Sequence, residues 1–510
     1  MVRDRKYKKM IKILDTTLRD GEQTSGVSFA AEEKLSLARL LLEDLCLDRI
    51  EVASALVSEG EFTTVQKIAR WADSKGLLDK VEVLGFVDGD RSVDWLRSAG
   101  IRVMNLLCKG SLKHCAMQLG KKPEEHIADI KRTLACADEA GIAVNVYLED
   151  WSNGMKNSPE YVFALMDALS DTKIRRFMLP DTLGVLNPAD TAKYCTQMLT
   201  RYPNLEFDFH AHNDYDLAVA NVFAAVQAGI NCIHVTVNGL GERAGNAPLS
   251  SVLAVLHDQL GLATNIKEHE INSVSKIVET YSGIRIPSNK PVVGNHVFTQ
   301  VAGVHADGDM KNNLYCNDLI PERFGRTREY ALGKTSGKAN IKKNLQALGI
   351  DLDEESMKKV TARIVELGDK KQMVTPEDLP YIVSDVLKTA NVEEKVKIIN
   401  YSLSSTRGLK PVANVSIEID GEPYQASSMG EGQYDAFMKA LWQIYDKLNM
   451  PHPVLVDYAV TIPPGGRTDA FVQTVITWNM NGRIIKTNGL DADQTEAAIQ
   501  ATTKMLNIIN

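Results

Sequence analysis

From residue 9 to about residue 261, short β-branched or apolar runs alternate with longer stretches of helical periodicity. The runs are "KMIKILDTT", "DRIEVAS", "KVEVLGFV", "IRVMNLLC", "IAVNVYLED", "IRRFMLPDT", "LEFDFHAHN" and "NCIHVTVNG". Segments such as "AAEEKLSLARLLLEDL" and "DLAVANVFAAVQAG" lie between them and have the length of helices. Eight βα units in roughly 250 residues match the size and count of a TIM (β/α)8 barrel. A doubly wound sheet commonly has fewer strands and a glycine-rich first turn, whereas the first turn here is "TTLRDGEQ". The expected fold class is α/β, with a barrel over residues 1–264.

The pattern then changes twice. Residues 265–392 read as helical segments, among them "NSVSKIVETYSGI" and "MKKVTARIVELGDKK", around the polar and irregular "GVHADGDMKNNLYCNDLIPERFG". So long a loop in a compact chain is usually functional or disordered. Residues 393–510 return to strands and hairpins, with Asp420-Gly421 and Asn481-Gly482 as turn signals. Helices near 433–449 and 491–509 punctuate them, and the similar halves predict an α+β module of duplicated type.

Composition narrows the function. With 510 residues the chain exceeds one hydrophobic core. At 44% hydrophobic and 24% charged it is ordinarily globular. A net charge of −8 argues against nucleic acid as the main partner. The apolar runs are too short and too interrupted by charge for a membrane span. The N-terminus "MVRDRKYKKM" leads into "IKILDTT" rather than a secretory core. Seven cysteines without a CxxC indicate reduced thiols and a cytoplasmic location.

"FDFHAHNDYD" (207–216) carries the first chemistry. Alternation along a strand points His210 and His212 to one face, as half of a metal site or as one core and one solvent-facing histidine. A barrel decides between these by what lies at the C-terminal ends of its strands. Strand 1 is expected to end at Arg19-Asp20, strand 5 at Tyr147 and Glu149, strand 6 at Asp181-Thr182, strand 7 at the histidines, and strand 8 leads to Asn246. Closure makes strands 7, 8 and 1 neighbours. Asp20, His210, His212 and Asn246 together suit a divalent ion such as Zn²⁺, Mn²⁺ or Mg²⁺ with open positions. Taken singly, Asp20 could be a helix cap and Asn246 a turn residue.

"LDTTLRDGEQTSG", "HAHNDYDLAVAN" and "NGLGERAGNAPL" resemble the signatures of the metal-dependent 2-isopropylmalate, homocitrate and citramalate synthases, with the lyases of the same superfamily. The resemblance runs over essentially the whole chain and is nearest to the citramalate synthases. It implies that Asp20, His210, His212 and Asn246 hold the metal, and that Arg19 is the catalytic arginine. It also implies a reaction joining acetyl-CoA to a 2-oxo acid, followed by thioester hydrolysis. Glu149 is the candidate base for the acetyl methyl proton, with a purely orienting role as the alternative. His305 resembles a histidine delivered across a homodimer, and Asp307, Asn313, Leu314 and Tyr315 would complete the acetyl-CoA side. The lyases usually carry a cysteine in the loop after strand 8, and "GLGERAGNAPL" has none, which favours synthesis.

Leu84, Phe86, Leu107 and Tyr147, with Arg19 and Thr182, are the expected substrate contacts. The leucines and tyrosine resemble a citramalate synthase pocket closed around the methyl of pyruvate. No pocket cation is available for the distal carboxylate of 2-oxoglutarate, and an isopropyl group needs more room. A 2-isopropylmalate synthase is the alternative, and a non-catalytic amino-acid-sensing barrel is the alternative of another class. The C-terminal module resembles an allosteric domain for a branched-chain amino acid, with Tyr434 and Asp435 in "GEGQYDAFMKAL" as candidate effector contacts.

Overall fold

The computed structural model describes residues 10–310, 314–369, 374–387, 395–461 and 472–509. The chain divides into two compact units, Met1–Phe298 with Asn317–Thr327, and Thr299–Cys316 with Arg328–Asn510.

The first unit contains eight parallel strands: β1 (Lys12–Asp15), β2 (Arg49–Ser54), β3 (Val81–Phe86), β4 (Val103–Lys109), β5 (Ala143–Glu149), β6 (Arg176–Asp181), β7 (Phe207–Ala211) and β8 (Cys232–Val235). They form a closed barrel in sequence order, and β1 pairs with β8 from Lys12↔Cys232 to Asp15↔Val235. All eight expected runs form strands, because each is buried on both faces between the barrel interior and the surrounding helices. The helix Glu59–Ser74 shows how the outer ring is built. Ser58 accepts a hydrogen bond from the Glu61 amide at 3.1 Å and caps it, and Val65, Ile68, Ala69 and Ala72 form its buried stripe.

Strand 1 ends earlier than expected. The Thr16 carbonyl accepts from the amides of Arg19, Asp20 and Gly21 at 3.1, 2.8 and 3.1 Å, so Arg19 and Asp20 lie in a tight turn beyond β1. The turn carries both side chains over the mouth of the barrel, where a straight strand would have alternated them.

The inward positions are unusual for this architecture, whose interior is ordinarily layered with branched apolar side chains. Arg49, Glu51, Glu82, Asn105, Asn145, Asp208 and His234 occupy it here. Arg49 pairs across the barrel with Asp208 and reaches Glu82 at 2.9 Å. Asn145 donates to Asn105 at 2.8 Å, and Asn105 donates to Glu51 at 2.7 Å.

In the second unit, Gly303–Met310 is helical where the polar sequence predicted irregular chain. Two short strands, β9 (Thr299–Gln300) and β10 (Glu329–Tyr330), pair in parallel, and the Asn340 amide ties down the carbonyls of Val301 and Ala331 at 2.8 and 3.2 Å. The C-terminal part is duplicated, as expected. Strands β11 (Val396–Ser404), β12 (Val412–Ile419) and β13 (Glu422–Met429) precede the helix Gln433–Lys447. Strands β14 (Val454–Thr461), β15 (Val472–Met480) and β16 (Arg483–Asp491) precede Gln494–Ile509. Both β12–β13 and β15–β16 turn through two residues of positive φ, Asp420 (51°) with Gly421 (87°) and Asn481 (53°) with Gly482 (88°). Such turns match the right-handed twist of the strands they join. Among the described residues, no helix is long and apolar enough to cross a membrane.

Candidate active site

Asp20, His210 and His212 converge at the C-terminal mouth of the barrel. Asp20 Oδ2 lies 3.3 Å from His210 Nε2 and 4.0 Å from His212 Nε2, and one donor atom from each of the three falls within 4.8 Å of the others. All three are buried. Burial opposes ionisation of Asp20, but Arg19, then His210 and His212, outweigh it and hold the carboxyl well below its usual range. Burial likewise lowers His210 despite Asp20, and lowers His212 to about 4. Neutral imidazoles beside a carboxylate are the protonation states a metal requires.

Asn246 comes beside the end of β7 from the loop after β8. Its backbone forms an isolated antiparallel bridge with His212, and its Nδ2 donates to the Leu240 carbonyl at 3.0 Å. The turn needs its glycines. A Cβ on Gly241 (φ 151°) would lie 2.2 Å from Asn246 Nδ2, and one on Gly245 (φ 83°) would lie 2.0 Å from the Gly239 carbonyl oxygen. Asp20 Oδ1, Asn246 Oδ1 and the Nδ1 atoms of His210 and His212 are buried without hydrogen-bond partners. A buried polar atom with no partner is costly. The Asp20 carboxylate with its unpartnered Oδ1, facing the two Nε2 atoms, fits a divalent cation.

Arg19 borders this cluster. Its Nε donates to Glu51 Oε2 at 2.5 Å, its Nη1 lies 3.3 Å from Asp20 Oδ2, and its Nη2 donates to the Tyr147 hydroxyl at 3.4 Å. Burial works against its charge, but Glu51, Asp20 and Tyr147 raise its pKa further. The guanidinium is thus charged and held on three sides. Leu84 and Tyr147 belong to an inward apolar cluster with Leu14, Met178 and Cys232, and Leu107 packs against it. Phe86 pairs in register with Leu107 but is not part of that cluster.

Glu149 stands at the end of β5, paired with the ammonium of Lys109 on β4. The Thr182 hydroxyl accepts from the Asp150 amide at 2.9 Å, which ties the β5 and β6 ends together and leaves its own proton free to donate. Arg243 clamps Asp214 through Nε at 2.7 Å and Nη2 at 3.0 Å and also donates to the Thr182 carbonyl at 2.8 Å, joining the loops after β6, β7 and β8.

Residues 10–278 match the model of the HMGL-like family. Residues 292–372 match a homocitrate synthase post-HMGL domain-like model, and residues 373–510 match a LeuA allosteric (dimerisation) domain. The (R)-citramalate synthase of Methanocaldococcus jannaschii is 32% identical over 98% of this chain and 99% of its own length. The 2-isopropylmalate synthase of the same organism is 33% identical over 98% of this chain and 94% of its own.

The chain belongs to the HMGL-like family.

Within it, the protein is an acyltransferase-type condensing enzyme of the 2-isopropylmalate and citramalate synthase group, a group that depends on a metal and uses acetyl-CoA. The two named activities are represented at nearly equal identity, so the pocket has to discriminate between them.

Several polar residues that surround these side chains were missed in the sequence. Glu51, Lys109 and His234 touch Arg19, Glu149 and Tyr147 respectively, and Asp208 touches His234. Their signal was a charged or polar side chain inside a run that otherwise reads as buried strand, as in "RIEVAS" and "NCIHVTV". In the second unit, His305 stands on the Gly303–Met310 helix with its ring centroid 4.4 Å from that of Tyr315. Asp307 is on the same helix, and Leu314 and Tyr315 are exposed. Asn313 lies outside the described residues. Tyr434 and Asp435 both line a cavity of about 1030 Å³ between the second repeat and the Gln433–Lys447 helix. The Tyr434 hydroxyl lies 2.7 Å from Thr502 Oγ1, and Asp435 accepts from the Glu431 amide at 2.8 Å and pairs with Lys439 at 2.7 Å.

Proposed function

We propose that this enzyme condenses acetyl-CoA with pyruvate and hydrolyses the thioester to give (R)-citramalate. The observation that carries the choice of substrate is the apolar cluster of Leu84, Leu107 and Tyr147 directly beside Arg19. Its apolar side chains suit a methyl group and offer no cation to a second carboxylate. On this reading a branched 2-oxo acid would crowd them, and overfilling a packed site costs more than a methyl group gains.

Asp20, His210, His212 and Asn246 would hold the divalent ion. When bound, the ion supplies Lewis-acid polarisation of a chelating 2-oxo acid. The chain's own residues do the rest. Glu149, steadied by Lys109, takes a proton from the acetyl methyl of acetyl-CoA. The resulting carbanion forms a C–C bond to the keto carbon, and the C=O electron pair moves to oxygen. Arg19 faces that developing oxyanion as a charge already in place. Protonation of the alkoxide and attack of water on the thioester then release the free thiol of CoA.

The second unit supports two further roles under this reading. His305, Asp307, Leu314 and Tyr315, with Asn313, would serve the acetyl-CoA side across a homodimer. The cavity at Tyr434 and Asp435 would receive the feedback amino acid, isoleucine for a citramalate synthase and leucine for the alternative. On this division residues 1–264 are catalytic, 265–392 complete the site and 393–510 regulate it.

Thiol release from acetyl-CoA with a panel of 2-oxo acids tests the proposal. Pyruvate should give the highest kcat/KM. Turnover confined to 3-methyl-2-oxobutanoate would make the enzyme a 2-isopropylmalate synthase. No release with any member would leave only a sensing role.

A further inference from the structure

Below the site, a line of buried side chains runs along the barrel axis. Arg19 Nη2 is 3.4 Å from the Tyr147 hydroxyl, that hydroxyl is 3.0 Å from His234 Nδ1, and His234 Nε2 is 3.3 Å from Asp208 Oδ2. Asp208 is in turn paired with Arg49, and its Oδ1 accepts from Arg176 Nη1 at 3.2 Å. Tyr147, His234 and Asp208 are 3%, 1% and 0% exposed, so bulk water does not reach the line.

The donors and acceptors can be ordered from the two ends. A guanidinium only donates, so the Tyr147 oxygen is an acceptor toward Arg19. The carboxylate end fixes the ring. The ionised Asp208 only accepts, so His234 Nε2 carries a proton, and in the neutral ring Nδ1 keeps the lone pair to which the Tyr147 hydroxyl donates. The opposite tautomer would face the Nε2 lone pair with a carboxylate. Inside a low-dielectric core that mismatch is expensive.

We infer that His234, fixed by Asp208 as its Nε2–H tautomer, is a positioning residue that turns a lone pair of the Tyr147 hydroxyl onto Arg19 and so holds the guanidinium in its working orientation. Glu51 grips Arg19 from one side at Nε, and Tyr147 grips it from the other at Nη2. Neither His234 nor Asp208 touches the substrate. They act through Tyr147. The arrangement follows from strand alternation: Asp208 is two residues before His210 on β7, and His234 faces the same interior from β8. The inference rests on the reading of Arg19 as the group that meets the oxyanion.

The test uses the full-length enzyme with ¹⁵N-labelled histidine, together with His234→Gln and His234→Leu. The imidazole resonances lost in His234→Gln should show a protonated Nε2 and an unprotonated Nδ1. Glutamine can accept from Tyr147 and donate to Asp208, so it should keep kcat within about tenfold. Leucine can do neither, and kcat should fall by about 10²-fold, the usual cost of a small misplacement, while KM for pyruvate stays near the wild-type value. A proton on Nδ1, a doubly protonated ring, or a folded His234→Leu enzyme with wild-type kcat would overturn the inference. The nitrogen shifts of the wild-type protein decide the matter even where the leucine variant does not fold. A wild-type protein with the Nε2–H tautomer but no condensation of any 2-oxo acid would overturn the functional reading alone.

Discussion

The barrel interior and the C-terminal core of this protein solve burial in opposite ways. Around the barrel axis lie Glu51, Asn105, Asn145, Asp208, His210 and His234, all buried. In the C-terminal part the buried positions between sheets and helices are Ile417, Phe437, Leu441, Tyr445, Trp478 and Met505. An apolar core needs only volume and shape, and it tolerates exchange of one hydrophobic side chain for another. A polar core needs a named partner for every donor and acceptor, so its side chains sit in one arrangement or none. The barrel uses that constraint to hold Arg19 and to bring donor atoms of Asp20, His210 and His212 within 4.8 Å of one another.

The contrast can be broken most forcefully at one residue from each core. Asp208→Ala takes one of two carboxylate partners from each of Arg49 and Arg176, which keep Glu82 and Glu206, and should cost about 3 kcal/mol of stability. Phe437→Ala should cost a similar ~3–5 kcal/mol by leaving a cavity. The difference is in rescue. Phe437→Leu should recover much of its loss, whereas Asp208→Leu should recover little, because an apolar side chain cannot replace the carboxylate that Arg49, Arg176 and His234 share. Denaturant unfolding read alongside peptide-resolved hydrogen exchange measures both. Equal rescue at the two positions would erase the distinction.

Arg19→Lys probes what the polar arrangement is for. Lysine keeps the charge but cannot meet Glu51 and Tyr147 with one rigid fork. kcat should fall by about 10²–10³-fold, as for loss of an oxyanion donor. Near-normal turnover would mean that charge alone suffices. A smaller effect is expected where the barrel is apolar. Leu107→Ala should shift the kcat/KM ratio toward 3-methyl-2-oxobutanoate over pyruvate by about 10–200-fold, the worth of a few methyl groups. An unchanged ratio would place the specificity pocket elsewhere.

The smallest effect concerns His126 in the barrel's outer shell, whose Nε2 accepts from the Lys109 amide at 3.0 Å. Burial, with Lys121 beside it, lowers its pKa to about 4. The unfolded chain therefore binds a proton more readily than the folded one below the ordinary histidine range. The stabilisation is full above pH ~6.5 and fades as pH falls toward 4. His126→Gln, which can still accept the Lys109 hydrogen bond, should flatten that part of the stability profile. An unchanged slope would assign it to other groups.

The two cores also differ in how legible they were. Strand and helix order of the barrel follows from period and spacing, and the duplicated C-terminal module from its two Asx-Gly hairpins. The convergence of Asp20, His210 and His212 follows from strand alternation and barrel closure. The turn carrying Arg19 and Asp20 does not, because three hydrogen bonds to one carbonyl end β1 at Asp15. The helix Gly303–Met310 was hidden by polar composition, which resembles a loop when no long apolar stripe is present. Glu51, Asp208 and His234 were hidden for a different reason. A charged residue in a strand reads as outward-facing, and only cross-barrel partners such as Arg49 and Arg19 reveal that it faces in.

The central claim is that Asp20, His210 and His212 hold a divalent cation required for turnover. Chelator-stripped enzyme should be folded but silent in the thiol-release assay. On readdition it should bind one divalent ion per chain by equilibrium dialysis and recover activity in proportion to occupancy, while His210→Ala recovers neither. Full activity in the stripped enzyme, or normal stoichiometric binding and turnover in His210→Ala, would contradict the account.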